Sequence, residues 1–182
     1  MLKRHHIITL ITVLATFLIY SLPLNAISQR QLFSNAWHNF HRLEKNPSRA
    51  KYRSSWLKLK KQFQRVYRQN PRSSFAAKSL YYLGRTYEEL ARRPNIKNDF
   101  YQALHYYQRV VNQFPHHRWT DDAIFRRAVI YKKYLKDSVN SYSELLKIVH
   151  KYSNGDMYKK AQKELQNLDK KYIQTHFKSR KI

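Results

Sequence analysis

Beyond its first 26 residues the chain repeats one arrangement, with apolar side chains three and four apart and polar ones between them. Leu32, Ala36, Phe40 and Leu43 form one such set, and Trp56, Leu59, Phe63 and Val66 form the next. Ala76, Leu80, Leu83, Tyr87 and Leu90 follow, then Ala103, Tyr107, Val110 and Phe114. A weaker set comprises Ile124, Ala128, Tyr131 and Leu135. Tyr142, Leu145, Val149 and Tyr152 come next, and Tyr158, Ala161, Leu165, Leu168 and Tyr172 close the series. At 3.6 residues per turn each set is one stripe on one helix, so seven helices are predicted. No segment alternates with the period of two that marks a half-buried strand. The expected class is all-α.

The punctuation between the stripes agrees. Asn70-Pro71-Arg72-Ser73-Ser74 carries a stop and a serine able to cap the following helix. Pro94 with Asn95 interrupts the stretch between Leu90 and Phe100, and Pro115 closes the stripe ending at Phe114. Thr120 and Asp121 offer a cap and an acid at a helix start, where the macrodipole favours negative charge. Ser153-Asn154-Gly155-Asp156 separates the last two helices.

Helices of this length joined by short turns call for a search for repeats. Leu80, Leu83, Gly84 and Tyr87 have the spacing of the first helix of a tetratricopeptide repeat. Ala103, Tyr107, Val110 and Pro115 have that of its second helix. A glycine inside a helix costs about 1 kcal/mol against alanine, which the close approach of a paired helix would justify at Gly84. A weaker copy runs through Ile124, Ala128 and Tyr131, then Ser141, Leu145 and Ile148, with Arg127 where leucine is expected. Leu59, Phe63, Val66 and Pro71 form a half-copy, and Ala36 with Phe40 looks like another second-helix fragment. The expected architecture is a short right-handed solenoid of about three helix pairs over residues 27–175. The last helix caps it with its lysines outward, and residues 176–182 form a basic tail.

The first 26 residues differ from the rest. Lys3 and Arg4 precede an uncharged apolar run from Ile7 to Leu24, the pattern of an export signal. With Ala26 as the small residue before a cut, it reads as a cleaved signal peptide. The alternative is an uncleaved signal anchor, since the run is also about long enough to cross a bilayer. Export, to the periplasm or to an anchored position on the inner membrane, is the expected location.

Composition then removes several chemistries. The chain has no cysteine, so it has no disulfide scaffold and no thiolate nucleophile or ligand. Its two glycines cannot build a dinucleotide fingerprint or a phosphate loop. The histidines are scattered. His38 and His41 share a helix face with only Glu44 beside them, and His116-His117 sits in a turn. Convergent ligands with an outer shell are not apparent, so no catalytic residue, metal or cofactor is expected. The charge is lopsided, with 36 Lys plus Arg against 11 Asp plus Glu, a net +25. Between Lys45 and Arg85 every charged residue is basic. Such a surface attracts anionic lipid, acidic protein segments or nucleic acid. Interleaved Trp56, Phe63, Tyr67, Tyr81 and Tyr82 sit mostly at packing spacing rather than as base-stacking platforms, and export disfavours nucleic acid.

The joint Phe114-Pro115-His116-His117-Arg118-Trp119-Thr120-Asp121-Asp122-Ala123 resembles the aromatic-Pro to Asp-Asp-Ala joint of bacterial envelope tetratricopeptide proteins. Lys51-Tyr52-Arg53 with Trp56, Asn70-Pro71-Arg72-Ser73 and Tyr87-Glu88-Glu89-Leu90-Ala91 are similar to the N-terminal repeat region of some bacterial N-acetylmuramoyl-L-alanine amidases. That resemblance implies a link to peptidoglycan hydrolysis. The zinc hydrolase domain of those amidases would begin about where this chain ends, so their catalytic residues have no positions here. The expectation is a non-catalytic exported module for protein–protein interaction in the cell envelope. The alternatives are a truncated or split amidase N-region, and a basic helical protein that binds anionic lipid or nucleic acid.

First helices of tetratricopeptide pairs line a concave groove, so their positions off the packing stripe face a ligand. These are Lys78, Tyr81, Arg85 and Glu88 in one copy and Asp122, Phe125, Val129 and Lys132 in the next. Lys78, Tyr81, Arg85, Phe125 and Lys132 are the candidate partner-binding residues. Aromatics flanked by cations suit an extended peptide with an acidic element. The competing expectation is that Tyr81 and Phe125 are packing residues, set against Trp56 or the N-terminal helix.

Overall fold

The computed structural model describes residues 27–92 and 96–178, with side chains as far as Lys170. The leader expected over residues 1–26 and the break at Pro94 and Asn95 lie outside the described residues. Eight α-helices occur among those described. They are α1 Gln29–Glu44, α2 Pro47–Ala50, α3 Arg53–Gln69, α4 Ser74–Arg92, α5 Lys97–Gln113, α6 Thr120–Val129, α7 Ser138–Lys151 and α8 Tyr158–Lys178. A π-helical segment, Ile130–Leu135, continues α6, and no strand is present among the described residues.

Side-chain caps fix several starts. Ser28 Oγ accepts from the Gln31 N–H at 3.2 Å, Asn46 Oδ1 from Arg49 at 3.1 Å, Ser73 Oγ from Ala76 at 3.0 Å and Asp137 Oδ1 from Asn140 at 2.9 Å. Each satisfies one donor that the first turn leaves unpaired. Thr120 does not cap α6 as the sequence suggested. It is the first helical residue, and its hydroxyl donates to the Phe114 carbonyl at 2.6 Å, closing the joint on the end of α5.

Each helix packs on its neighbours in sequence: α1 on α3, α3 on α4, α4 on α5, α5 on α6, α6 on α7 and α7 on α8. This is a helical solenoid of three pairs, α1/α3, α4/α5 and α6/α7, closed by α8. Because α1 also packs on α4, it is a first helix rather than the second-helix fragment that Ala36 and Phe40 suggested. The small-then-aromatic spacing occurs in both helix types, and only the neighbours distinguish them.

The core falls into two clusters. The larger joins the first two pairs through Phe40, Trp56, Phe63, Leu80, Leu83, Phe100 and Tyr107, all buried. Trp56 packs edge-on against Phe40 and donates its indole N–H to the Ala50 carbonyl at 2.8 Å, which folds α2 beneath it. The smaller cluster joins the third pair to the cap through Ile124, Ala128, Leu145, Ile148, Met157, Ala161 and Leu165. In α7 the inward face runs through Ser141, Leu145 and Ile148, while Tyr142 lies outside at 36% exposure, one position off its predicted stripe.

Gly84 faces Tyr107 across the α4/α5 contact. A Cβ placed there would stand 2.6 Å from Tyr107 Cε1 and 2.7 Å from Cζ, inside any real carbon contact. Where the repeat pattern wants leucine, Arg127 is nearly buried and donates to Glu144 of α7 at 2.8 Å. An ion pair there replaces an apolar contact between the helices of the third pair.

Candidate partner-binding face

The first helices α1, α4 and α6 present their off-core positions on one side, and the structure ties those positions together. On α1, Trp37 stacks edge-on with His41 at 4.5 Å, and His41 Nδ1 lies 3.2 Å from Glu44. Glu44 accepts from Arg85 of α4 at 2.8 Å. One turn further along α4, Glu88 is fully buried. It accepts from Arg126 Nε of α6 at 2.8 Å and from the Tyr107 hydroxyl at 2.5 Å. From the π segment, Lys132 donates to Glu164 of α8 at 2.6 Å. An ion-pair ladder therefore links each first helix to the next and the last to the cap.

The five candidate residues all lie on this side, half-buried, and each has a partner within the fold. Lys78 holds its ammonium over three rings, those of Phe33, Phe75 and Trp119, at 5.1–5.8 Å. Tyr81 meets Tyr82, Tyr107 and Trp119, and burial raises its hydroxyl pKa. Arg85 stacks over Phe40 as well as pairing with Glu44. Phe125 packs on the smaller cluster beside the cap rather than against Tyr81, so the two aromatics belong to different cores. The ring that the sequence placed near Tyr81, Trp56, is elsewhere in the core, and Trp119 of the joint takes that place.

Two residues emerge that the sequence reading did not select. Trp37 is 36% exposed on α1 at the end of the ladder. Arg126, rather than Phe125, meets α4, and Glu88 together with Tyr107 raises its pKa against the cost of burial. A correct assignment of α1 as a first helix would have pointed to Trp37, which sits one residue after the core residue Ala36.

At the joint, Asp121, Asp122 and Asp156 bring carboxylate oxygens within 4.8 Å of one another, the one acidic group of that kind among the described residues. Asp121 accepts from the Met157 N–H at 3.2 Å, which docks the α8 turn, and a Cβ at Gly155 would stand inside contact distance of that carboxylate and so displace it. Burial, with Asp156 and Asp121 beside it, pushes the Asp122 carboxyl up to about 6. Asp156 lies far from the pair in sequence, which is why motif spacing missed the group. His117 Nε2 lies 3.0 Å from the Ser74 hydroxyl, and burial with Lys78 and Arg118 nearby lowers its pKa.

Residues 78–117 match the tetratricopeptide repeat family. The match covers most of α4, all of α5 and the start of the joint, where Gly84 and Tyr107 meet. The chain thus carries a tetratricopeptide repeat, a unit that serves protein–protein interaction. Searches of curated proteins and of solved structures found no match.

Proposed function

We propose that this chain is an exported, non-catalytic scaffold of the cell envelope that binds an extended peptide bearing an acidic element along its first-helix face. The supporting observation is the ladder itself. Trp37, Glu44, Arg85, Arg126, Lys132 and Glu164 form a polar row across four helices, held on a backbone that stacked pairs keep in register. Arg85 and Lys132 keep part of their surface in solvent, at 21% and 38% side-chain exposure. A carboxylate on the peptide competes there with Glu44 or Glu164 for an existing partner, an exchange of one partly exposed pair for another. Trp37 supplies an aromatic contact at the end of the row. The link to peptidoglycan hydrolysis is part of this proposal and rests on the likeness of the joint and turn motifs to amidase N-regions.

The test is selection from a random peptide library on the immobilised chain. Enriched peptides should share a carboxylate, and their binding should weaken with salt and fall at least tenfold in Trp37→Ala and in Arg85→Gln. Enrichment that ignores both substitutions would place the binding surface elsewhere. Sequencing the N-terminus of chain recovered from the exported fraction tests the location independently.

A further inference from the structure

The chain enters the array at a corner built from the start of α1 and the end of α3. Gln29 Nε2 donates to the carbonyls of Val66 at 2.8 Å and Asn70 at 3.0 Å, and Gln69 Nε2 donates to the Ile27 carbonyl at 3.0 Å. These bonds pin the entry point directly against the last turn of α3. Around it stand Arg30, Arg65, Arg68 and Arg72, all exposed. A groove of about 370 Å³ opens here, lined by Ile27, Leu32, Arg65, Arg68 and Gln69. Its lining sets two aliphatic side chains, Ile27 and Leu32, beside two arginines. No acidic residue occurs from Ile27 to Leu43 or from Lys45 to Tyr87, so no acid on α1, α3 or the first three turns of α4 stands near these arginines. Glu44, the one acid of α1, lies at that helix's other end and pairs with Arg85.

Immediately upstream in sequence runs the uncharged apolar stretch from Ile7 to Leu24. A bilayer engaged by that stretch would lie next to this corner and not next to the far edge of the solenoid, one α3 length of about 25 Å away. We propose that the corner is a headgroup-binding surface for anionic phospholipid, with Arg65 and Arg68 taking a lipid phosphate and Arg30 and Arg72 flanking it. Guanidinium forks match phosphate oxygens in pairs, and the neighbouring aliphatic side chains suit the glycerol end of the lipid. The inference rests on the export reading only in that residues 1–26 bring the chain to a membrane. Nucleic acid is the weaker occupant, because the apolar lining is aliphatic and offers no ring for a base.

The full chain is incorporated into vesicles of phosphatidylcholine, with and without phosphatidylglycerol, then extracted in mild detergent, and the lipid retained by the protein is quantified. Wild type should retain phosphatidylglycerol in preference. Arg65→Gln with Arg68→Gln should cut that preference by roughly tenfold or more, since each basic residue at an anionic surface changes affinity about fivefold. Lys51→Gln with Lys97→Gln removes the same charge from the opposite edge and should leave the preference intact. Equal retention of both lipids by wild type, or equal loss in both double variants, would overturn the proposal. Flotation of the same vesicles in alkaline carbonate reads the leader separately. Chain that washes off while wild type still selects phosphatidylglycerol refutes anchoring and keeps the lipid surface; chain that stays without selecting refutes the surface and keeps the anchor.

Discussion

Replacing Gly84 by alanine tests the closest contact in the fold. On propensity alone the change stabilises a helix interior by about 1 kcal/mol. Here the new Cβ would sit 2.6–2.8 Å from three atoms of the Tyr107 ring. Carbon atoms pack at about 3.5–4.0 Å, so the ring must recede by about 1 Å. Tyr107 is fully buried, and its hydroxyl is fixed on Glu88, which Arg126 also holds, so the ring cannot recede without disturbing the link to the third pair. Overpacking of this kind costs about 1–3 kcal/mol, and weakening the Tyr107–Glu88 bond adds about 1. The net expectation is a loss of about 1–3 kcal/mol, a fall in melting midpoint of roughly 3–10 °C by circular dichroism for a chain of this size. The control is Tyr107→Val, which removes the ring atoms concerned. In that background Gly84→Ala should be neutral or stabilising by up to about 1 kcal/mol. A midpoint unchanged or raised by Gly84→Ala in the wild-type background would refute the reasoning, as would an equal loss in both backgrounds.

Other expectations follow from the same contacts. Asp122 has its folded-state pKa raised from 3.8 to about 6, so the folded chain binds the proton more tightly and stability is lost as pH rises through that window. The full shift corresponds to about 3 kcal/mol, which screening at this half-buried site reduces to about 1, so Asp122→Asn should raise the midpoint at pH 8 and leave it nearly unchanged at pH 4. Arg127→Leu alone leaves the buried Glu144 with only its Lys147 partner, 2.9 Å away on the same helix, and should cost about 1–3 kcal/mol in urea unfolding, whereas Arg127→Leu with Glu144→Leu should be neutral or stabilising. Lys136 is the one non-glycine residue with positive φ among those described, at 58°, and Lys136→Gly should stabilise by about 0.5–1 kcal/mol.

Periodicity carried the helices because each has one buried stripe, and most stripe positions of α1, α3, α4 and α5 are core, with Leu32, Tyr87 and Phe114 only partly buried at its edge. It did not carry α2 or the π segment. Four residues are too few to show a period, and a π turn breaks the one in use. It misplaced the buried face of α7 because Ser141 and Glu144, which lie inward, are polar, while the outward Val139 and Tyr142 are not. The candidate residues stand on the first helices and the π segment that continues α6, but not as free chemistry, since each already has a partner within the fold. A lysine, a tyrosine and an arginine at groove positions look available in a sequence, but whether Lys78 is caged by three rings depends on Phe33, Phe75 and Trp119, brought from different elements. The roles of Trp37 and Arg126 depended on pairing assignments that only neighbouring helices supply.

The placement of the acids explains why the basic surface belongs to the design of the fold and not merely to its composition. Of the 11 acidic residues, Glu44, Glu88, Asp99, Glu144 and Glu164 each pair with a cation on a different element, and Asp121 docks the α8 turn. Asp137 caps α7, and Asp122 and Asp156 sit in the joint. Acids are thus stationed where one helix must be held to the next, which leaves few to neutralise the outer faces. The cations outnumber them threefold, so the excess has to appear on surfaces that make no helix contact, the entry corner and the outer side of α3 first among them. Glu44, Asp156 and Asp169 are exposed, yet the first still reaches across to another helix and the second joins the acidic group at the joint; a compositional bias without structural order would leave most of the acids exposed and without such contacts. Reversing the inter-helix partners tests the distinction: Glu44→Lys with Arg85→Glu restores a pair of opposite polarity and should recover most of the midpoint lost by Glu44→Lys alone, while the same two changes made at exposed, unpartnered sites should show no coupling.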